Sequence, residues 1–149
     1  MNAESPHSFD QCNCLAIRQA ARHVTQFYDQ FLAPTGLRAT QFAMLSRLRR
    51  SGPMTINALA AMLVMDRTTL GRNILPLQRD GLIAVAPGST DRRRHELQIT
   101  EAGIARHRAA LERWAEAQKR FDEVFGDERA ATLRNLLRGV VASDFATAK

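Results

Sequence analysis

Two cysteines stand in 149 residues, Cys12 and Cys14, and they lie too close together to staple a fold. That excludes the disulfide-dense class of small secreted scaffolds and leaves two reduced thiols. No run of about 18 apolar residues occurs, so no transmembrane helix is expected. The polar N-terminus has no apolar block of the signal-peptide kind. Together these absences predict a soluble cytoplasmic chain without a membrane partner. Internal repeats and low-complexity tracts are missing as well, which removes solenoids and repeat arrays. Lysine is scarce: of 21 basic residues only Lys119 and Lys149 are lysine. Arginine suits bidentate contacts with phosphate and guanine, although genome base composition can produce the same bias.

What the chain does have is a net charge of +6 and a pI near 10.6. Such a balance favours an anionic partner, nucleic acid before membrane. The length suits one domain with a sizeable core. Residues 1–11 read as a disordered arm, small and polar with Pro6. A helix is expected from Cys12 to Ala33, with Ile17, Ala20, Val24, Phe27, Tyr28 and Phe31 at helical spacing, ended by Pro34 and Gly36. A second helix, from Ala39 to Arg50, buries Phe42, Leu45 and Leu48 before the break at Ser51-Gly52-Pro53. Thr55 can cap a short third helix striped by Ile56, Leu59, Ala60 and Leu63.

A tight turn at Val64-Met65 then leads into the helix around which the chain is organised. Asp66 is its N-cap, accepting from free amides of the first turn and facing the positive end of the dipole. Leu70, Ile74 and Leu77 form one apolar stripe. Thr68 and Arg72 point away from it, Thr69 flanks that outer face, and Asn73 lies nearer the stripe edge. Gly71 has no side chain, which lets another molecule approach the backbone closely. Pro76 withholds a donor from Arg72 and should bend the axis without disturbing the first turns, and Gly81 stops the helix. A face of Arg67, Thr68, Thr69, Arg72 and Asn73 can read base edges and phosphates in a major groove. By itself this pair is equally an ordinary couple of core helices with a solvated face.

The next segment favours the first reading. Leu82–Pro87 and His95–Ile99 alternate as strands, and the loop between them carries Arg92, Arg93 and Arg94. An arginine on a thin loop can enter a narrow minor groove, and Asp91 is expected to pair with one of the three. Helices, strand, basic loop and returning strand make a winged helix-turn-helix over residues 37–100. Thr100 can cap a long helix from Glu101 to Phe125, where Ile104, Leu111 and Phe125 share one heptad position and Trp114 and Phe121 the other. His107 and Gln118 interrupt that seam. Asp127 is expected to cap a last helix that buries Leu133, Leu136, Leu137, Val140 and Val141. The helices of residues 12–36 and 101–146 are more apolar than a winged module needs, so they predict a helical dimerisation region and a homodimer. The fold class is mainly α with one small β-hairpin.

With these residues in place the chain resembles the MarR family of bacterial transcriptional regulators. The resemblance covers about residues 12–146. It is carried by Leu59-Ala60 through Leu63, Asp66-Arg67-Thr68-Thr69-Leu70, Asp80-Gly81-Leu82-Ile83, Asp91-Arg92-Arg93, and Leu97…Thr100…Gly103. It implies an obligate dimer binding a pseudo-palindromic operator on double-stranded DNA. It also implies a repressor released by a small phenolic or aromatic ligand or by thiol oxidation. That ligand usually sits between the dimer helices and the winged domain. Cys14 with Tyr28 fourteen residues on resembles the branch that senses organic hydroperoxides, with Cys12 as a second thiol. Two further tyrosines of that branch are replaced by Arg18 and Ala39, and Arg18 is a cation one turn along of the kind that favours a thiolate.

His7, Cys12 and Cys14 in the arm lack a matching ligand set elsewhere, so no metal is read, and no cofactor. His23 and His107 read as helix-face or seam residues and Trp114 as core. No catalytic residue is assigned. The rival readings are a thiol-based peroxidase working through Cys14, which lacks a visible partner histidine or acid, and a non-specific architectural DNA-binding protein.

Overall fold

A computed structural model describes residues 8–146. His7 and most of the N-terminal arm lie outside the described residues. The chain forms two compact units, one up to Trp114 and one from Ala115 onward.

The first unit opens with one 3-10 turn at Phe9–Gln11, so the end of the expected arm carries local structure. Helix α1 (Asn13–Leu32) follows. Cys12 is its N-cap rather than its first residue, and the Cys12 sulfur accepts from the Leu15 amide at 3.4 Å. After α1 come α2 (Ala39–Ser51), α3 (Ile56–Met62) and α4 (Arg67–Arg79). Strands β1 (Ile83–Pro87) and β2 (His95–Ile99) then pair antiparallel, with Ile83 opposite Ile99 and Val85 opposite Leu97. Met54 adds a short bridge to Leu97. Helix α5 (Glu101–Phe125) follows the hairpin.

The core of this unit is where the helical spacing put it. Leu45 and Leu48 of α2, Leu59 of α3, Leu70 and Leu77 of α4, and Leu97 of β2 are all essentially inaccessible. Each such side chain contributes about 1.5–3 kcal/mol relative to exposure. Leu70, Ile74 and Leu77 bury one face of α4 and so fix which face is left outward. Helix α4 runs unbroken through Pro76.

Helix α5 is locked to the base of the wing at its start. The Thr100 hydroxyl donates to the Gly81 carbonyl at 2.6 Å and accepts from the Gly103 amide at 3.0 Å, while the Thr100 amide donates to the Leu82 carbonyl at 3.1 Å. One residue thus caps α5 and ties it to the end of α4. A Cβ at Gly103 would overlap the Leu82 carbonyl oxygen, so this closeness requires glycine.

In the second unit α6 spans Asp127–Ala142. Gly126, at φ 99°, is its N-cap. Asp127 is the first helical residue, and its carboxylate accepts from the neighbouring Glu128 amide. The sequence placed the cap one residue late, because an acidic first-turn residue and a capping one look alike. The Arg129 guanidinium lies 4.2 Å over the Phe125 ring, a cation–π contact. Only Ala130 of α6 is buried: Leu136 and Val141 are about two-thirds exposed. The stripe expected to be buried on α6 is therefore not covered by its own chain. Helix α1 shows the same pattern, with Leu32 alone fully buried and Ile17 exposed.

Candidate nucleic-acid interface

The outward face of α4 is built from its first turn. Thr55 caps α3 through the Ala58 amide at 3.1 Å, and the chain reverses at Val64, whose φ is 54°. A β-branched residue in the left-handed region is strained, and it makes the sharp entry into α4. Asp66 then caps α4: one carboxylate oxygen accepts from the Thr69 amide at 2.8 Å and the other from the Thr69 hydroxyl at 2.7 Å. The Thr69 backbone bond is the main reason that the Asp66 carboxyl is held below the usual carboxylate range; the Thr69 hydroxyl, the Thr68 amide and the Arg72 charge act in the same direction.

Arg67, Thr68, Thr69 and Arg72 are exposed on this face, and Asn73 is half-buried. The Asn73 side-chain amide donates to the Thr69 carbonyl at 2.9 Å. Thr69 and Asn73 are therefore partly engaged within the helix, which spacing alone does not reveal.

The wing closes on itself. The Gly88 amide donates to the Arg94 carbonyl at 2.6 Å and the Arg94 amide to the Asp91 carbonyl at 3.1 Å. The Asp91 carboxylate accepts from the Arg93 backbone amide at 3.0 Å. Asp91 thus shapes the loop as expected, but through a backbone amide rather than a guanidinium. A Cβ at Gly88 would come within 2.6 Å of the Asp91 carbonyl oxygen, so the tight tip needs glycine there. Arg92, Arg93 and Arg94 are all exposed on this self-satisfied turn.

A second feature of the first unit is a cavity of about 470 Å³ between α1, α2 and α5. Tyr28 and Leu32 come from α1, Phe42, Ser46, Arg47 and Arg50 from α2, and Leu111 and Trp114 from α5. Its size is that of a small-molecule site. Trp114 both packs on the core and lines the cavity, a double role that heptad spacing did not separate. Arg47 and Arg50 went unnoticed in the sequence. Their three-residue spacing beside the buried Phe42 stripe was the available signal.

Cys14 is exposed and Cys12 half-buried at the start of α1. Cys14 and Tyr28 belong to one continuous helix, so fourteen residues hold them about 21 Å apart. The chain alone does not bring this pair together.

Residues 37–95 match the profile of the MarR family. The M. tuberculosis transcriptional regulator MosR is 33% identical, with 91% of this chain aligned to 100% of that one at a TM-score of 0.77. The chain belongs to the MarR family. MosR in complex with DNA is also similar, at 34% identity over 89% of this chain and 98% of that one, with a TM-score of 0.72. A putative transcriptional regulatory protein for the hcr operon of Thauera aromatica is 29% identical over 136 residues, 89% of this chain and 75% of that protein. Members of this family are transcriptional regulators, and the winged helix-turn-helix with its single hairpin is the architecture expected from the sequence. Among the described residues no helix of this MarR-family chain is long and apolar enough to cross a membrane.

Proposed function

We propose that this MarR-family chain represses transcription by binding a pseudo-palindromic operator as a homodimer, and that a small aromatic ligand releases it. The observation that carries the reading is the pairing of a capped α4, with Arg67, Thr68 and Arg72 outward, and a self-tied wing that presents Arg92, Arg93 and Arg94. Such a helix suits a major groove and such a loop the adjacent minor groove or phosphates. The DNA complex of MosR supports the assignment by similarity. Residues 12–36 and 101–146 serve dimerisation, because the exposed apolar side chains Ile17, Leu136 and Val141 are what a second copy would cover. The cavity suits an aromatic effector: Phe42, Leu111 and Trp114 give an apolar wall, and Arg47 and Arg50 offer charge to an acidic group.

The test is binding to a duplex from the region upstream of its own gene, competed with scrambled DNA. Arg72→Ala should weaken specific binding by about 1–3 kcal/mol and relax the preference at one position. Arg92→Ala should lower affinity and reduce the salt slope by about one unit. If both variants keep wild-type specific binding, the interface is wrongly assigned. Binding that is equal on scrambled DNA would favour the architectural reading.

Thiol oxidation is a second route to release, favoured by an exposed Cys14 in the first turn of α1 beside the cap residue Cys12. A Cys14 thiolate attacking an organic hydroperoxide would form a sulfenate and release the alcohol, and Cys12 offers the thiol that condenses with the sulfenic acid to a disulfide and water. Cumene hydroperoxide should then dissociate the wild-type DNA complex, reversibly with dithiothreitol, and leave Cys14→Ser bound. Equal release of Cys14→Ser would end this reading.

A further inference from the structure

His107 is the buried polar residue of the first unit, 5% exposed. Its ring stacks on Phe42 of α2, with centroids 5.2 Å apart and planes 14° from parallel. Its Nε2 lies 2.8 Å from the Ser46 hydroxyl of α2. That hydroxyl also lies 2.8 Å from the Phe42 carbonyl oxygen. A carbonyl only accepts, so the hydroxyl proton goes there, and Nε2 must carry the proton that reaches Ser46. The ring is therefore the neutral Nε2–H tautomer, and its buried Nδ1 is a lone pair with no partner among the described residues. Stack, hydrogen bond and bare nitrogen all suit an uncharged imidazole.

We propose that His107 is an acid-sensitive latch between α2 and α5: the neutral ring closes it, and the imidazolium opens it and loosens α2. Protonation would put an N–H on Nδ1 where no acceptor waits, at the cost of a buried unsatisfied donor and a buried charge. The charge acting on the ring from α2 is a cation, Arg49, whose guanidinium also reaches the Ile104 carbonyl of α5 at 3.4 Å. On α5 itself Arg106 donates to the Thr35 carbonyl and Arg108 is exposed. No carboxylate among the described residues acts to stabilise the charged ring.

Burial pushes the His107 imidazole below the ordinary histidine range, and Arg49 pushes it the same way. The sign follows from linkage. Between the depressed value of the closed form and about 6.5 in the open form, the open form binds more protons. Falling pH in that window favours opening, and the effect saturates below the closed-form value. Helix α2 shares its core with Leu70 and Leu77 of α4, so an opened latch reaches the helix proposed to read DNA. That consequence rests on the proposed function; the latch itself does not.

Trp114 is the single tryptophan and stacks on Phe42 at 6.2 Å, so its emission reports the latch without DNA. The experiment is a fluorescence titration of the full-length chain from pH 8 to pH 5, with far-ultraviolet circular dichroism alongside. The expected result is a red shift with a midpoint below 6.5 while helicity is retained, and loss of that shift in His107→Gln, whose amide can still donate to Ser46 but cannot be charged. Arg49→Gln should move the midpoint upward. A variant with His7, His23 and His95 all replaced by glutamine leaves His107 as the sole histidine. Its ring resonances, followed by NMR, should titrate at the Trp114 midpoint whether or not His107→Gln folds. No shift in the wild type, a shift retained in His107→Gln, helicity lost at the same midpoint, or a sole histidine titrating at or above 6.5 would each overturn the latch.

Discussion

Replacing Gly71 by alanine should make the protein more stable and a weaker DNA binder. Gly71 lies inside α4, three residues after Thr68 and four before Leu75, which are both exposed, so it shares their outward face. A Cβ there would meet nothing within 4 Å in the free chain. Alanine is favoured over glycine in a helix interior by about 1 kcal/mol, which for a chain of this length raises the thermal midpoint by about 2–4 °C. Against DNA the same methyl occupies the space through which the α4 backbone would approach the groove. If it displaces one bidentate contact, worth about 1–3 kcal/mol, affinity falls roughly 5- to 150-fold. Thermal melts at one protein concentration and fluorescence anisotropy at one fixed salt concentration measure the two effects. A Gly71→Ala protein that melts higher and binds DNA as wild type does would refute the close approach. One that melts lower would refute the open position on the helix.

Gly103→Ala should lower the melting point. The Leu82 carbonyl and Ile99 side chain leave no room for a methyl, so overpacking of about 1–3 kcal/mol sets in against backbone that cannot rotate away, and a higher melting point would contradict that packing. Val64→Gly should raise the melting point by removing left-handed strain of about 1–2 kcal/mol, less the entropy that glycine adds to the unfolded chain; a drop would show the Val64 side chain to be needed. Asp66→Ala should lower the melting point at pH 7. Because the folded carboxyl is held low, its contribution is complete above about pH 4 and lost as pH falls through the lower folded value. The gap between wild type and variant should therefore close in strong acid, and a gap independent of pH would show that the cap does not act through its charge.

Features set by near neighbours in sequence were legible before the structure. The stripe Leu70, Ile74 and Leu77, the caps Thr55, Asp66 and Thr100, and the basic wing all follow from spacing and residue type, which local geometry obeys. The candidate site was less legible where partners are distant or where one group can choose between partners. Ser46 and His107 meet across 61 residues, and the cavity draws on three helices, so no periodicity announces either. The seam reading counted His107 as an interruption, whereas the ring turns to Ser46 and becomes part of the first unit's core boundary. The stripe on α6 was visible, but a stripe tells only that a surface must be covered. It does not tell whether the same chain covers it, and Leu136 and Val141 show that here it does not.

If α4 reads bases as proposed, the hydrogen bonds of its first turns decide which side chains remain free to do so. Direct readout of adenine by asparagine needs its donor and its acceptor together, one for N7 and one for N6. Asn73 already donates one of its two amide N–H groups to the Thr69 carbonyl, so it keeps one donor and its acceptor, on a side chain turned back along its own helix. Thr69 gives its hydroxyl proton to Asp66 and retains only lone pairs. Arg67 and Arg72 carry five donors each on exposed side chains, in a fork that matches guanine O6 and N7 or a phosphate. Both oxygens of Asp66 are engaged with Thr69. On the proposed reading, base discrimination by this helix falls first on its arginines, with Thr68 beside them. Thr69 and Asn73 brace the first turns through their helix-internal bonds, so Arg72→Ala should relax the sequence preference more than Asn73→Ala does.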